Sequence, residues 1–396
     1  MAREMIGIMG GTFDPIHKGH IAMARAAMEA AHLDRVLMLP TGNPPHKTGI
    51  TPAEDRWRMV CAACVKEPDL EPCRLELDRE GVIYTYDTLK LLKQAYPKAQ
   101  FFYIIGADTL LELKHWHRYE EVLKLCVFIV CPRPWDVAPQ AITEETKRLI
   151  GLGGKFISVL TEPLDISSTT LRKQLAADEP TPMLPETVRE YAHLCGLYGM
   201  PAGVERAAEW MPALFAALTV KRFSHTLAVA YTARLLAAQH DVDVVKAETA
   251  ALLHDCAKCL PLQEMREICV SHHLTEDRSI LESGALMHAI AGACLAEEKY
   301  GVDDPEILDA INSHTTGRPG MTKLDMVVYL ADKIEPTRDV YPTLVRVRML
   351  ASLSLYRAMI CSMEGTGNYV RKGGKPLHPQ SAETLKWLRE TVHEIR

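Results

Sequence analysis

A change of pattern near residue 200 constrains this chain most. Before it, short apolar runs alternate with amphipathic stretches; after it, only helical periodicity remains. The strand candidates are Met5–Met9, Arg35–Leu39, Phe101–Ile105, Val127–Cys131 and Lys155–Val159. Between them lie the helical stretches Gly19–Ala31, Asp55–Glu67, Thr85–Tyr96 and Trp116–Lys124. Such alternation predicts an α/β domain, a parallel sheet with helices on both faces and ligand sites at the carboxyl ends of its strands. The second half reads as Arg222–Gln239, Val244–His254, Leu262–Cys269, Leu286–Tyr300, Pro305–Asn312, Lys323–Lys333, Leu344–Glu364 and Ser381–Ile395. That half is predicted to be all-α. The turn-rich string Leu197–Gly203 sets the expected boundary. The domains are therefore predicted as 1–197 and 205–396, with a linker over 198–204, and no internal repeat joins the halves.

Size agrees with two domains, because 396 residues exceed the usual extent of one. A net charge of −6 argues against a broad nucleic-acid-binding surface. No apolar run approaches the length of about 20 residues that a membrane span needs. The opening Met-Ala-Arg-Glu-Met leads straight into a strand-like run, so no signal peptide is expected. The 11 scattered cysteines then read as reduced thiols of a cytoplasmic protein. Cys61/Cys64 and Cys256/Cys259 have Cys-x-x-Cys spacing, but neither has a second pair at zinc-ribbon spacing, so buried small side chains are the simpler reading.

The first chemical constellation is Gly10-Gly11-Thr12-Phe13-Asp14-Pro15-Ile16-His17-Lys18-Gly19-His20, which follows the first strand and opens a helix. Glycines there let backbone approach a phosphate, and the helix start adds oriented N–H donors. His17 and His20, three residues apart, share one face and can donate hydrogen bonds to charge that develops during transfer. The string resembles the nicotinate-nucleotide adenylyltransferase form of the His-x-Gly-His signature of the nucleotidylyltransferase superfamily. Ile166-Ser167-Ser168-Thr169-Thr170-Leu171-Arg172 resembles that superfamily's second signature.

This resemblance covers roughly residues 4–195 and implies a Rossmann-like fold. It also implies transfer of AMP from ATP to nicotinate mononucleotide, giving deamido-NAD and pyrophosphate, a step of NAD biosynthesis. ATP would be held by Gly10, Gly11, Thr12, Phe13, His17, His20, Gly106, Asp108, Ser167, Ser168, Thr169 and Arg172. The mononucleotide would meet Asp14, His46, Lys47, Thr85, Trp116 and Arg133. His17, His20, Lys47 and Arg172 are the implied catalytic groups, with Mg²⁺ arriving on ATP. Pro44-Pro45-His46-Lys47 looks like the family's basic loop, Asp55-Arg56 a following helix start, and Pro132-Arg133-Pro134 a mononucleotide contact. Taken alone, Trp116 reads as a packed aromatic and Asp108 as a helix N-cap. An adenylyltransferase for phosphopantetheine or the amide mononucleotide is the alternative within this superfamily.

The second constellation is His225, His254-Asp255, His288, His314 and Asp332, each in or beside a helical apolar pattern. That placement turns imidazoles and carboxylates into a bundle interior, where a metal satisfies both. Mixed nitrogen and oxygen ligation suits iron, manganese or zinc better than calcium. His240, His272, His273, His378 and His393 lack this context and stay outside the ligand set.

The pattern resembles the HD superfamily of phosphohydrolases over residues 205–395, and within it the bacterial enzymes of symmetrical diadenosine tetraphosphate cleavage. The matching strings are His254-Asp255-Cys256-Ala257-Lys258, Asp332-Lys333-Ile334-Glu335-Pro336-Thr337-Arg338-Asp339 and Gly373-Gly374-Lys375-Pro376-Leu377-His378-Pro379. The resemblance implies a dinuclear transition-metal centre of iron, with manganese, cobalt or zinc as alternatives. His225, His254, Asp255 and Asp332 would hold the first ion, with His288 and His314 completing the second. Diadenosine tetraphosphate would be cleaved to two ADP. Lys258, also a catalytic candidate, and Arg338 would contact phosphate, unless they are surface ion-pair partners. A non-catalytic nucleotide-sensing module is the alternative for this half, and homo-oligomerisation stays open.

Overall fold

The computed structural model describes residues 3–42, 49–131, 138–159, 166–374 and 377–394. They form two compact units: Met1–Arg189 with Tyr198–Met200, and Glu190–Leu197 with Pro201–Arg396.

The first unit is built on β1 (Met5–Gly11), β2 (Arg35–Pro40), β3 (Leu70–Pro72), β4 (Gln100–Gly106), β5 (Val127–Cys131) and β6 (Phe156–Ser158). All pair in parallel, in the order β3-β2-β1-β4-β5-β6. The middle strands are buried along most of their length, as in Phe101 to Gly106 and Val127 to Cys131, which is why they read as continuous apolar runs rather than alternating ones. The order reverses between β1 and β4, where Ile8 lies opposite Tyr103. Doubly wound sheets bind ligands at such a reversal, outside the carboxyl ends of the strands. The Gly10–Gly11 pair ends β1 there and Gly106 ends β4.

Two sequence expectations need correcting. β3 was not expected: three residues ending in Pro72 show no alternation, and the strand exists only by pairing Leu70, Glu71 and Pro72 with Val36, Leu37 and Met38. The expected helix Leu344–Glu364 is two helices, Pro342–Ala351 and Leu355–Lys372. Ser354 interrupts the period as an N-cap, accepting a bond from the Arg357 N–H at 3.4 Å.

The second unit is helical among the described residues. The helix Val220–Gln239 packs on Val244–Leu253 and Lys323–Ile334, and the latter also packs on Pro305–Ser313. Polar caps fix where these helices start: Thr219 accepts from Arg222 N–H, Asp243 from Lys246 N–H, and Thr322 with Asp325 forms a reciprocal capping box. From Leu324 through Asp332 every residue of Lys323–Ile334 is buried. No helix among the described residues is long and apolar enough to cross a membrane.

Candidate active sites

In the first unit, the turn after β1 runs into the helix Lys18–Ala31, with His17 as its N-cap. His17 is buried and its ring stacks on His20, with centroids 3.7 Å apart and planes 27° apart. His20 Nδ1 accepts from the His17 backbone N–H at 3.2 Å, which puts the ring proton of neutral His20 on Nε2. Gly19 permits this packing: a Cβ there would lie 2.9 Å from His17 Nδ1 and from Ile166 Cγ2. Phe13 sits in the left-handed region at φ 50°, an unfavourable conformation for a bulky residue, and its buried ring meets His20 edge-on.

The second signature reaches the same turn from far along the chain. Arg172 Nη1 donates to Asp14 O at 2.7 Å across 158 residues, and Ser168 Oγ donates to Pro15 O at 3.1 Å. Ser167 caps the helix Ser168–Ala176, and Arg172 Nη2 also bonds Thr169 Oγ1 at 3.2 Å. Gly10, Gly11, Thr12, Phe13, Asp14, His17, His20, Ser167, Ser168, Thr169 and Arg172 therefore gather around one turn.

At the end of β4, Gly106 caps the helix Ala107–Glu112, and Asp108 stands exposed in that helix rather than capping it. Thr85 and Trp116 meet at Tyr103 of β4. The Thr85 side chain lies beside the Tyr103 hydroxyl, and half-buried Trp116 meets the Tyr103 ring edge-on at 5.7 Å. A Cβ on Gly10 would lie 2.5 Å from the Tyr103 hydroxyl, so glycine there lets β1 and the tyrosine coexist. His46, Lys47 and Arg133, with Pro44, Pro45, Pro132 and Pro134, lie outside the described residues.

Three residues with no predicted site role organise this region. Tyr103 is one. Arg56, fully buried, donates Nη1 to Thr12 O and Thr41 O, Nη2 to Gly42 O and Nε to Thr51 O, all within 2.9 Å. It pins the loop after β1 to the loop after β2. Tyr198 donates its hydroxyl to Asp14 Oδ1 at 2.9 Å, while the other Asp14 oxygen accepts from Thr51 N–H.

In the second unit, His225, His254, Asp255, His288, His314 and Asp332 come together, all buried. They arrive on the helix Val220–Gln239, the end of Val244–Leu253, Gly284–Glu298, the end of Pro305–Ser313, and Lys323–Ile334. Two groups have ligand atoms within 4.8 Å of one another: His225 with His254 and Asp332, and His254 with Asp255 and His314. Asp255 spans them. Its Oδ2 faces His254 Nε2 at 3.3 Å and His225 Nε2 at 3.8 Å; its Oδ1 faces His288 Nε2 at 3.1 Å and His314 Nε2 at 3.9 Å.

The outer ring nitrogens are anchored. His254 Nδ1 bonds Ala251 O and His314 Nδ1 bonds Ile311 O, each at 2.6 Å, and His288 Nδ1 bonds Gly284 O at 3.0 Å. His225 Nδ1 bonds the buried Glu335 carboxylate at 3.0 Å, which is itself held by Thr337. These bonds turn the Nε2 lone pairs inward, as ligating histidines require.

The electrostatics suit cations. Burial alone would raise Asp255, but His254, His288 and His314 hold it well below the usual carboxylate range. Burial likewise opposes ionised Asp332, and Lys333 and His225 overcome it. Burial, His254 and His288 push His314 well below its usual value, leaving a neutral ligand. Although buried, His254 Nε2 and Asp255 Oδ1 make no hydrogen bond of acceptable geometry. A divalent transition metal fits this donor set, and its binding would satisfy both atoms.

Cationic side chains surround the cage. Arg338 Nη2 and Lys333 Nζ each lie 2.8 Å from an Asp332 oxygen, and Arg222 Nη1 lies 2.7 Å from Asp255 Oδ2. Lys258 Nζ rests 3.1 Å from His288 Nε2, so ligation by His288 needs that ammonium to move. Arg222 had no predicted role; it precedes His225 by three residues on one helix, a spacing that places both on the same face.

Residues 8–174 match the Cytidylyltransferase-like family and residues 222–337 the HD domain family. A "Probable nicotinate-nucleotide adenylyltransferase" of Gloeobacter violaceus is 42% identical over 206 residues, 50% of this chain and 98% of the relative. A "Probable nicotinate-nucleotide adenylyltransferase/Ap4A hydrolase" of Mycoplasma pneumoniae is 28% identical over 84% of this chain and 88% of its own length. A solved structure described as a "predicted HD superfamily hydrolase involved in NAD metabolism", from Clostridium acetobutylicum, is 34% identical. It covers 48% of this chain and 99% of its own, with a TM-score of 0.46.

Proposed function

Because this chain belongs to the nicotinate-nucleotide adenylyltransferase family and carries an HD domain behind that half, we propose that it is a bifunctional nucleotide enzyme. Residues 1–197 would transfer AMP from ATP to nicotinate mononucleotide, and residues 205–396 would cleave diadenosine tetraphosphate to two ADP. The observation that carries the first assignment is the meeting of the two signatures, Arg172 on Asp14 O and Ser168 on Pro15 O.

In this reading the triphosphate lies against the Gly10–Phe13 backbone and the Ser167–Thr169 helix start, with Gly106 and Asp108 on the adenosine side. A phosphate oxygen of the mononucleotide attacks the α-phosphorus in line. One P–O bond forms, the bond to the bridging oxygen breaks, and pyrophosphate leaves with Mg²⁺. His17 and His20 donate hydrogen bonds to the transferring phosphate, while Lys47 and Arg172 neutralise the leaving group. No covalent enzyme intermediate is needed, so catalysis is positioning and charge stabilisation. Asp14, His46, Lys47, Thr85, Trp116 and Arg133 are assigned to the mononucleotide.

For the hydrolase, the spanning geometry of Asp255 supports a dinuclear centre, one ion on the His225, His254 and Asp332 side and one on the His288 and His314 side. Metal held there by His225, His254, Asp255, Asp332, His288 and His314 would polarise the phosphate and lower the pKa of the attacking water. Lys258 and Arg338 would meet phosphate charge at the rim. The test is an assay of the full chain with ATP plus either nicotinate or nicotinamide mononucleotide. A parallel assay uses diadenosine tetraphosphate with Fe²⁺, Mn²⁺ or Co²⁺. Preference for the nicotinate form and release of ADP alone support the proposal. Preference for the amide form, or AMP plus ATP as products, overturns the corresponding half.

A further inference from the structure

A second cluster of metal-ligating side chains lies outside this cage, in the same unit. His272 ends the helix Leu262–Ser271, and Cys294 and Glu298 sit four residues apart on the helix Gly284–Glu298, which packs against it. That spacing puts thiol and carboxylate on one face. The three donor atoms lie within 4.8 Å of one another, and His272 Nδ1 is 3.5 Å from Glu298 Oε1. In a tetrahedral zinc site, bonds of 2.0–2.3 Å separate neighbouring donors by about 3.5 Å. Small side-chain rotations therefore bring all three into one coordination sphere.

We propose that His272, Cys294 and Glu298 bind a divalent cation of the zinc class across these two helices, with solvent in the fourth position. The donor set selects the metal. A thiolate disfavours magnesium and calcium, and one imidazole with one carboxylate completes the mixed set that zinc and cobalt accept. Cys294 is buried between two exposed groups and has Glu297 and Glu298 beside it.

Cys269 lies three residues before His272 on the same helix. Burial raises its pKa, and Cys294 is near enough to raise it further. These two helices also share an apolar cluster that includes Met265, Cys269, Met287 and Ala291. The site would brace the helix that also delivers His288 to the catalytic cage.

The experiment is a Co²⁺ titration of the full-length protein, read by near-ultraviolet thiolate-to-cobalt charge-transfer absorption. The ligand set assigned to the catalytic cage contains no thiol, so the band reports a site outside the cage, and loss of the band in Cys294→Ser assigns it to this one. The expected result is a band whose intensity corresponds to one thiolate-bound cobalt per chain, whatever the cage takes up, and which Zn²⁺ displaces. It should vanish in Cys294→Ser and persist in Asp332→Asn. His272→Ala and Glu298→Gln change exposed side chains, so folding should be preserved, and each should weaken cobalt affinity at least about ten-fold. Cobalt uptake without the band, or a band that survives Cys294→Ser, overturns the proposal.

Discussion

Arg56 and Glu335 act at the scale of single residues, and neither is itself assigned to substrate or metal. Arg56 supplies donors to Thr12 O, Thr41 O, Gly42 O and Thr51 O, so removing it strands buried carbonyls. Arg56→Met should lower stability by about 3 kcal/mol, read from the urea midpoint. It should also raise the KM for ATP, because Thr12 belongs to the turn assigned to the triphosphate. An unchanged midpoint would contradict the pinning role. Glu335 orients His225 and raises the basicity of its ring. Glu335→Gln should weaken metal affinity on the order of 10–100-fold in a chelator competition on the full chain; equal affinity would remove Glu335 from the site. Neither role was legible in the sequence. Arg56 works through backbone acceptors, which carry no residue identity, and Glu335 was visible only as a letter within a matching string. His254 and Asp255 were legible because adjacent ligand types behind an apolar run have few other uses.

At the scale of elements, the helix Lys18–Ala31 presents two opposing effects at one residue. Gly19→Ala should stabilise the helix by up to about 1 kcal/mol through propensity. The same Cβ would meet His17 Nδ1 and Ile166 Cγ2 at 2.9 Å. His17 is N-cap to this helix and its ring is buried, so it has little room to yield. The expected outcome is a thermal midpoint within a few degrees of the parent and a kcat for adenylyl transfer at least ten-fold lower, roughly 1.4 kcal/mol of barrier. Full activity would mean that the ring packing is irrelevant to chemistry. The buried strands were legible because apolar runs bounded by turn residues have one reading at that length. β3 was not, since its three residues acquire meaning only from Val36, Leu37 and Met38 alongside. The break at Ser352–Ser354 was missed for the opposite reason: apolar residues on both sides keep the helical period, and only the cap at Ser354 ends it.

At the scale of the whole molecule, the period change near residue 200 was legible, because a sheet and a bundle demand different spacing of apolar residues. Finer allocation was not. Tyr198, in the segment read as a linker, seats its hydroxyl on Asp14, and Glu190 pairs with Arg234 at 2.9 Å. Neither contact follows from periodicity. Every described residue assigned to adenylyl transfer lies in the first unit, and every residue assigned to the metal cage in the second. The two chemistries should therefore fail separately. His17→Ala should abolish adenylyl transfer and leave tetraphosphate hydrolysis within about two-fold of the parent, since no ligand of the cage has changed. Asp332→Asn should do the reverse, because it removes a buried carboxylate that His225, Lys333 and Arg338 all face. Metal removal separates the halves without mutation. After chelation and dialysis, Mg²⁺ alone should restore adenylyl transfer, in which it enters bound to ATP. Hydrolysis should return only with Fe²⁺, Mn²⁺ or Co²⁺, which imidazole-rich sites hold better than the hard cation. Loss of both activities in either single variant, or recovery of both with Mg²⁺, would show that the two sites are not independent catalysts.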